Sequence, residues 1–444
     1  MGKKFPSFKN KNVLILGLGL LGRGLKDAIF FAEEGAKVTV TDLKSEKELA
    51  NSLRELKPYK NIKYTLGKHE ESDILEADLI MRNPAVPLDS PIMKFARKHK
   101  KKVDMDESLF AEYCPCKIVG ITGTRGKSTT TTLIGKLLTK YYDKGKVYLA
   151  GNLQGEATLP LIKKVTKDDV VVLELSSWQL QGFGWKKISP YISVFTNIYE
   201  DHLNRYSNMK DYIADKKIIY KYQKKSDFCI LGERNKHTKA LGKEVKSQLI
   251  WFSDSDVPKK WKIKMLGKHN QANIAAAMNV GEIFGLSLAQ METVLANYPG
   301  LEHRLEFVRK VNNITFINDT TSTTPISGMK ALEAIETPIV LLAGGATKQL
   351  EMRPFAEAIA KKVKFVILLE GSATDELERI IKAAGGSNLI SGRYDDFEEA
   401  IKHAYGVCLP GDTLLLSPGC ASFGMFINEF DRGERFKRIV SHLK

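Results

Sequence analysis

The sequence predicts an α/β protein of three domains, each built around a parallel sheet. Two glycine-rich turns, one near the start of the chain and one just past residue 120, each follow a short apolar strand and open a helix. Beyond residue 300 the strand-like runs Ile314 to Ile317, Pro338 to Leu342, Phe365 to Leu369 and Thr413 to Leu416 alternate with helical stretches, the pattern of a further parallel unit. At 444 residues the chain exceeds one ordinary core and suits two or three domains.

In chain order, Asn12-Val-Leu-Ile-Leu16 reads as a buried strand running into Gly17-x-Gly19-x-x-Gly22. A helix to about Glu34 and a second strand, Lys37 to Asp42, follow. Asp42 stands 20 positions after Gly22, the spacing of a dinucleotide fingerprint. In such a fingerprint the glycines let backbone close on a diphosphate at a helix N-terminus, and the acid takes a ribose hydroxyl. The same glycines serve any ligand diphosphate, or a tight strand–helix packing with none. A third strand, Ala77 to Arg82, ends in Asn83-Pro-Ala-Val-Pro87, at the strand end where such folds bind ligand. The first domain is therefore expected to be Rossmann-like and to span residues 1–113.

The central domain, expected over 114–300, turns on an apolar strand, Lys117 to Ile121, that leads into Thr122-Gly-Thr-Arg-Gly-Lys-Ser128. A phosphate chain needs converging backbone N–H groups, so the loop needs residues without bulk at Gly123 and Gly126. It also needs a cation, Lys127, and a hydroxyl for Mg²⁺, Ser128 or Thr129, at the positive end of the next helix. The spacing departs from the general GxxxxGK[ST] form, because Ile121 occupies the place of the first glycine. Downstream, Val170-Val-Val-Leu-Glu174 is an apolar strand with Glu174 at its tip, where a neighbour of a phosphate loop usually holds Mg²⁺. Another strand, Ile192 to Asn197, runs into a polar cluster containing His202, either a satisfied surface histidine or a ligand placed by the strand end. Asp211 to Tyr220 reads as a helix whose Lys216 and Lys217 are both solvated on pattern alone.

Composition bounds the remaining classes. Hydrophobic residues make up 43% and charged residues 27%, as in a soluble globular chain. No apolar run approaches about 18 residues, and Met1 to Lys11 is basic without the apolar core of a secretory signal. Of the five cysteines only Cys114 and Cys116 are close in sequence, with nothing at metal-site spacing beside them. That usage suits a reducing, cytoplasmic compartment. The net charge of +16 is mostly scattered lysine, and its densest run, Arg97-Lys-His-Lys-Lys-Lys102, ends a helical stretch where cations offset the helix dipole. With no interleaved aromatics or nucleic-acid module, the excess reads as a solvated face that attracts small polyanions, and no nucleic acid is expected.

Taken together, the motifs identify a family. Thr122-Gly-Thr-Arg-Gly-Lys-Ser128, Glu174-Leu-Ser-Ser-Trp-Gln-Leu180, Glu200-Asp-His-Leu-Asn-Arg-Tyr206, His269-Asn-Gln-Ala-Asn273, His303-Arg304 and Asn318-Asp319 resemble the Mur ligases over essentially the whole length. These are the ATP-dependent amide-forming enzymes of peptidoglycan assembly. The second and third motifs look like the glutamate-adding branch. Folylpolyglutamate synthases share the central domain but are not expected to show both.

The resemblance implies a Rossmann-like first domain, a central P-loop ATPase domain and a Rossmann-like α/β third domain over 301–444. Its first domain would bind the UDP end of the substrate through Leu20, Leu21, Leu43, Lys44 and Asn83, with Asn152 as a further contact, which displaces the nicotinamide reading. ATP would meet Gly123, Thr124, Arg125, Gly126, Lys127, Ser128, Thr129, Asn273, Arg304 and Asp319, and its binding would draw the third domain onto the central one. Catalysis would rest on Lys127, Glu174, His202 and Lys216. Of two Mg²⁺ ions, one would sit on Ser128 or Thr129 with Glu174, and the other on His202 with Lys216 as its carbamate.

The implied reaction joins glutamate to UDP-N-acetylmuramoyl-L-alanine in the cytoplasm through an acyl phosphate, on a monomeric enzyme. Glutamate would be held by Thr323, Lys348 and Ser422. Here the chain departs from the family, since Asn318-Asp-Thr-Thr-Ser-Thr-Thr-Pro325 places Thr321 where D-glutamate users typically carry lysine. An expected aromatic is likewise displaced, with Glu429 at its position and Phe430 beside it. An amide ligase with L-glutamate or another acceptor, and a nucleotide-binding protein without chemistry, are the competing readings. The second is disfavoured because every catalytic position is filled.

Overall fold

The computed structural model describes residues 4–19, 22–153, 157–201, 205–265, 267 and 269–444. Its contacts divide the chain into two compact units. One comprises Met1–Lys259 with Gln271–Leu295, and the other Lys260–Asn270 with Ala296–Lys444.

The first unit holds two sheets. Strands β1 (Asn12–Leu16), β2 (Lys37–Asp42), β3 (Ile62–Leu66), β4 (Leu79–Arg82) and β5 (Val103–Asp104) form an all-parallel sheet in the order β3-β2-β1-β4-β5. The order reverses beside β1, so the turns after β1 and β4 face each other across a crevice, the usual ligand position in open α/β sheets. Strands β6 (Lys117–Thr122), β7 (Val147–Gly151), β8 (Val170–Glu174), β9 (Ile192–Phe195), β10 (Phe228–Gly232) and β11 (Gln248–Phe252) form the second sheet. It is also all parallel, in the order β11-β10-β9-β6-β8-β7. Its central strands are buried along their length, which is why they read as continuous apolar runs rather than alternating ones.

Hydrogen bonds tie these two sheets together. The helix Asp106–Tyr113 turns Asp106 onto the backbone N–H groups of Thr158 and Leu159, and Glu107 onto the Gln179 amide. Arg23 reaches Gly151 O at 3.0 Å and lies 3.4 Å from Glu107. At the end of β4, Arg82 donates to Gln181 at 2.7 Å, and Gln181 donates in turn to Asp215 at 2.7 Å. A fully buried guanidinium or carboxylate is tolerated only with such partners. Here the partners come from Gly151 at the end of β7, from the turn at Thr158 and Leu159 and from the helices carrying Gln179, Gln181 and Asp215.

The second unit carries β12 (Glu306–Val311), β13 (Ile314–Asn318), β14 (Ile339–Gly344), β15 (Val363–Leu369), β16 (Ile390–Tyr394) and β17 (Thr413–Leu416). Their order is β12-β13-β17-β14-β15-β16. The sequence reading made this sheet wholly parallel, but β12 pairs antiparallel with β13. The two are joined by the tight turn at Asn312 and Asn313, both with positive φ, a conformation asparagine tolerates. Successive residues of β14 feed opposite cores. Leu341 packs with Phe355 and Leu377 on one face, and Val340 and Leu342 with Phe397 and Phe436 on the other, the period of two that a doubly covered sheet requires.

Phe355 is fully buried, and Gly328 and Gly419 are shaped to it, because a Cβ on either would stand 2.5 Å or 2.2 Å from its ring. With glycines rather than flexible side chains around it, the site cannot collapse on truncation. Phe355→Ala should therefore cost about 3–5 kcal/mol, read as a lower denaturant midpoint at unchanged m-value for the unfolding of this unit. A loss below about 1 kcal/mol would contradict the packing described.

Candidate functional site

The loop between β6 and the helix Lys127–Tyr141 is shaped by two glycines in left-handed backbone. Gly123 has φ +151° and Gly126, which caps the helix, has φ +80°. A Cβ on Gly123 would lie 1.9 Å from Thr196 Oγ1, and one on Gly126 2.3 Å from Asn273 Oδ1, so neither position accepts a side chain. The far wall is the turn after β9. Asn197 O accepts from Thr124 N at 2.9 Å, and Asn197 Oδ1 accepts from Arg125 N at 2.9 Å. Thr196 Oγ1 donates to Arg125 O at 2.6 Å. Thr124 Oγ1 lies 3.2 Å from the Tyr212 hydroxyl, which joins the loop to the helix Met209–Lys221.

Two lysines converge on this loop. Lys127 Nζ donates to Gly123 O at 3.0 Å and to Thr124 O at 3.1 Å, while Lys216 Nζ donates to the same Gly123 carbonyl at 2.9 Å. The pattern reading solvated both Lys216 and Lys217, and the structure corrects it for Lys216, which is 2% exposed. Adjacent helical residues point about 100° apart, and the face carrying Lys216 packs on the phosphate loop while Lys217 pairs with Glu244. Burial, reinforced by the Lys127 cation, holds the Lys216 ammonium well below the ordinary lysine range.

Glu174 ends β8 beside the loop. Its Oε1 accepts from Asn152 Nδ2 at 3.0 Å, whereas Oε2 is buried without a hydrogen-bond partner. An orphaned carboxylate oxygen beside a phosphate loop suits a hard cation. Ser128 is half-buried and Thr129 buried in the first turn of the helix. Thr130 Oγ1 donates to Asn273 Oδ1 at 3.3 Å, so Asn273 from the helix His269–Ile283 closes this side. Arg125 is exposed. His202 lies outside the described residues.

On the first sheet, Asn83 spans the crevice between β1 and β4, its Nδ2 donating to Gly17 O at 3.1 Å and its Oδ1 accepting from Ala85 N at 3.0 Å. Asp42, the acid of the fingerprint, accepts from Gly19 N at 3.0 Å on one oxygen and from Lys44 N at 2.9 Å on the other. It thus shapes both loops instead of presenting a free carboxylate to a ribose. Leu43, between them, is an exposed apolar side chain. Asn152 follows β7 of the second sheet, its Nδ2 donating to Glu174. Leu20 and Leu21 lie outside the described residues.

In the second unit the predicted residues gather at the C-terminal ends of β13, β14 and β17. Asp319 is enclosed. Leu305 N donates to its Oδ1 at 3.1 Å, Ser417 Oγ donates to its Oδ2 at 2.9 Å and Ser322 Oγ also reaches Oδ2. Burial pushes its carboxyl up to about 6, against those hydrogen bonds and the Arg304 charge. Arg304 itself is exposed. Lys348 Nζ donates to Thr323 Oγ1 at 2.7 Å. The loops holding Lys348 and Ser422 are zipped by Ala346 N to Ala421 O at 2.9 Å and Ala421 N to Ala346 O at 3.0 Å. Ser422 Oγ is buried without a partner, a donor left for a ligand.

Thr321 turns away from this group, its Oγ1 donating to His303 O at 2.8 Å. Phe430 packs edge-on against the His303 ring. Sequence reasoning missed Thr196, Ser322 and Ser417. The available signal was a hydroxyl directly following, or closely trailing, an otherwise apolar strand.

Three family models match the chain: the Mur ligase MurD-like N-terminal domain over residues 11–104, the Mur ligase middle domain over 121–262 and the Mur ligase glutamate ligase domain over 303–420. Among curated proteins, the UDP-N-acetylmuramoylalanine–D-glutamate ligase of Roseiflexus sp. strain RS-1 is 38% identical over 97% of this chain and 98% of its own. The protein of the same name from Borreliella afzelii strain PKo is 36% identical over 99% of this chain and 100% of its own. Among solved structures, the UDP-N-acetylmuramate-alanine ligase of Thermotoga maritima superposes with TM-score 0.60 at 18% identity over 98% of this chain and all of that one. The MurF ligase of Thermotoga maritima in complex with ADP gives TM-score 0.58 at 18% identity, over 99% of this chain and 97% of that one. At that identity the structures speak for the fold.

Gly126→Ala tests the loop. The Cβ collides with Asn273 and the backbone is left-handed, so nucleotide affinity should fall by at least about tenfold in a calorimetric titration, with the circular dichroism spectrum unchanged. Unaltered affinity would mean that this loop does not close on the phosphates.

Proposed function

The chain belongs to the Mur ligase family, and from that premise we propose that it joins D-glutamate to UDP-N-acetylmuramoyl-L-alanine at the expense of ATP in peptidoglycan precursor synthesis. The observation that carries the reading is the convergence of Lys127, Lys216 and the orphaned Glu174 oxygen on one phosphate loop. The relatives' shared name, held at 34–38% identity over essentially the full length, supplies the substrates. Three substrate domains, 1–113, 114–300 and 301–444, serve the UDP-sugar, ATP and the amino acid in turn. Among the described residues no helix is long and apolar enough to cross a membrane. A nucleotide-activated sugar and ATP as substrates support a cytoplasmic place of action.

A carboxylate does not acylate an amine, because oxide is too poor a leaving group. Attack of the alanyl carboxylate oxygen on the γ-phosphorus of ATP expels ADP and leaves an acyl phosphate. The glutamate amine then adds to the acyl carbon, the acyl C–O bond breaks with its electron pair leaving on phosphate, and the nitrogen gives up a proton that the departing phosphate can carry. Little covalent work falls to the protein, so positioning and charge stabilisation dominate. Lys127 would leave the Gly123 and Thr124 carbonyls for the phosphoryl oxygens, and the first-turn amides of the helix Lys127–Tyr141 would donate to the same anion. Glu174, with its orphaned oxygen, and Ser128 or Thr129 would hold one magnesium ion, and the Lys216 carbamate with His202 a second; when bound they would neutralise charge on the phosphate chain. Asn273, Arg304 and Asp319 are further nucleotide contacts. Leu43, Lys44, Asn83 and Asn152, with Leu20 and Leu21, serve the UDP-sugar, and Thr323, Lys348 and Ser422 serve glutamate.

Supplying UDP-N-acetylmuramoyl-L-alanine and ATP with D-glutamate or L-glutamate in parallel, and identifying the product by mass and chiral analysis, tests the reading. It expects the D-glutamyl amide with stoichiometric ADP. Preference for aspartate or a diamino acid, or no amide at all, would overturn it.

Lys216 is assigned as a carbamate, formed when its neutral amine adds to CO₂ and loses a proton. The amine must be neutral to react, and lysine's ordinary value near 10.4 forbids that at pH 7 unless burial intervenes. The carbamate supplies an anionic oxygen where an ammonium cannot bind metal. Lys216→Ala should be almost inactive and regain part of its turnover with a short carboxylic acid such as acetate. Full activity without the acid would contradict the assignment.

A further inference from the structure

The last helix, Glu429–His442, carries none of the proposed contacts, yet it carries a fully buried guanidinium behind those of the second unit. Arg432 is 1% exposed. Its Nε donates to Thr320 Oγ1 at 2.9 Å, and its Nη2 donates to Thr320 O at 2.9 Å and to Cys420 O at 3.4 Å. Thr320 belongs to the loop after β13, which holds Asp319 and Thr323. Cys420 belongs to the loop after β17, which holds Ser422. One planar fork therefore grips two loops from adjacent strands.

The helix is fitted to that grip. Asn428 caps it, accepting from Phe430 N at 3.0 Å and Asp431 N at 2.9 Å. Thr320 Oγ1 returns a hydrogen bond to Glu429 O at 2.8 Å. Gly433 lets the helix lie against His303, since a Cβ there would be 2.3 Å from His303 Nδ1 and 2.6 Å from Thr320 Cγ2.

The chemistry of the site makes this costly unless it serves something. Among the described residues Arg432 forms no ion pair, and a buried cation paired only with neutral acceptors carries a desolvation penalty. Burial lowers its pKa only to about 10, so it stays charged at neutral pH. Its charge also bears on Lys348, whose own value it helps to lower after burial. Lys348 and Arg432 feel each other's charge and that of Glu429, and Ser422 Oγ nearby lacks a partner, so two cations against one carboxylate and an unused donor suit a bound dicarboxylate.

We propose that Arg432 is a positioning residue for the amino-acid substrate, clamping the loops after β13 and β17 so that Thr323, Lys348 and Ser422 are held at one anion-binding separation. The inference rests on the glutamate reading given above. A guanidinium can make both loop contacts at once through divergent donors in one plane, which a lysine ammonium cannot reproduce.

The test compares the parent with Arg432→Met, Arg432→Lys and Thr320→Val, measuring KM for glutamate, ATP and UDP-N-acetylmuramoyl-L-alanine, together with kcat and Tm. Arg432→Met should raise the glutamate KM by about tenfold or more, leaving the KM of the UDP-sugar, whose contacts lie in the first unit, within twofold. Arg432→Lys should restore little of it. Thr320→Val, nearly isosteric and retaining the arginine, should raise the glutamate KM severalfold, and it decides the matter if neither Arg432 variant folds. A glutamate KM within twofold of the parent in Thr320→Val and in any folded Arg432 variant would overturn the inference. So would an equal rise in all three KM values tracking a fall in Tm, which is the mark of a merely structural role. A parent enzyme that makes no glutamyl amide would instead overturn the function it rests on.

Discussion

One backbone carbonyl organises the first unit. Gly123 O accepts from both Lys127 Nζ and Lys216 Nζ, at 3.0 Å and 2.9 Å. Two ammonium groups sharing one carbonyl would repel each other where screening is weak, and burial beside Lys127 draws the Lys216 amine toward its neutral form, leaving one crowded contact. The loop tolerates it because its shape is imposed from outside. Thr196 and Asn197 hold the strand side, Tyr212 touches Thr124, and glycines fill the two positions where a side chain would collide. What this arrangement lacks is negative charge, and a phosphate chain supplies it. The orphaned oxygen of Glu174 calls for the opposite sign, and a divalent cation bound with the phosphates answers both demands.

The same geometric rule places several of the other groups around the proposed sites. Asn83 follows β4, Thr196 and Asn197 follow β9, Asp319 follows β13, Lys348 follows β14 and Ser422 follows β17. In parallel sheets all carboxyl ends point one way, so loops from strands far apart in sequence meet at one edge. Polar side chains there are kept by mutual satisfaction, as Asp319 shows with Ser322, Ser417 and the Leu305 amide. The unsatisfied remainder, Glu174 Oε2 and Ser422 Oγ, marks where ligand atoms belong.

Much of this was legible in the chain because it is local. A buried parallel strand must be apolar throughout, and a turn on a phosphate must be glycine, so β1, β6 and β8 and their loops announce themselves. What failed to show was decided by long-range packing. Lys216 and Lys217 are equivalent on paper, and only the docking of their helix against the phosphate loop makes one buried and the other an ion-pair partner of Glu244. Asp42 sits at the right spacing to bind a ribose, but the Gly19 and Lys44 amides reach its oxygens first. The antiparallel edge β12 is half exposed, with no apolar run to reveal it. Arg432 lies over 100 residues from Thr320, and nothing in a solvated-looking helical stretch announces that its arginine is buried.

The account stands on carboxylate activation at the phosphate loop, and isotope transfer reads that step directly. UDP-N-acetylmuramoyl-L-alanine labelled with ¹⁸O in both oxygens of the alanyl carboxylate is turned over with ATP and D-glutamate, and the released phosphate and the amide are analysed by mass. An acyl phosphate requires one labelled oxygen to leave with phosphate in each turnover and the other to remain in the amide carbonyl. Phosphate free of label, with glutamyl product still forming, would contradict activation of the carboxylate by phosphoryl transfer.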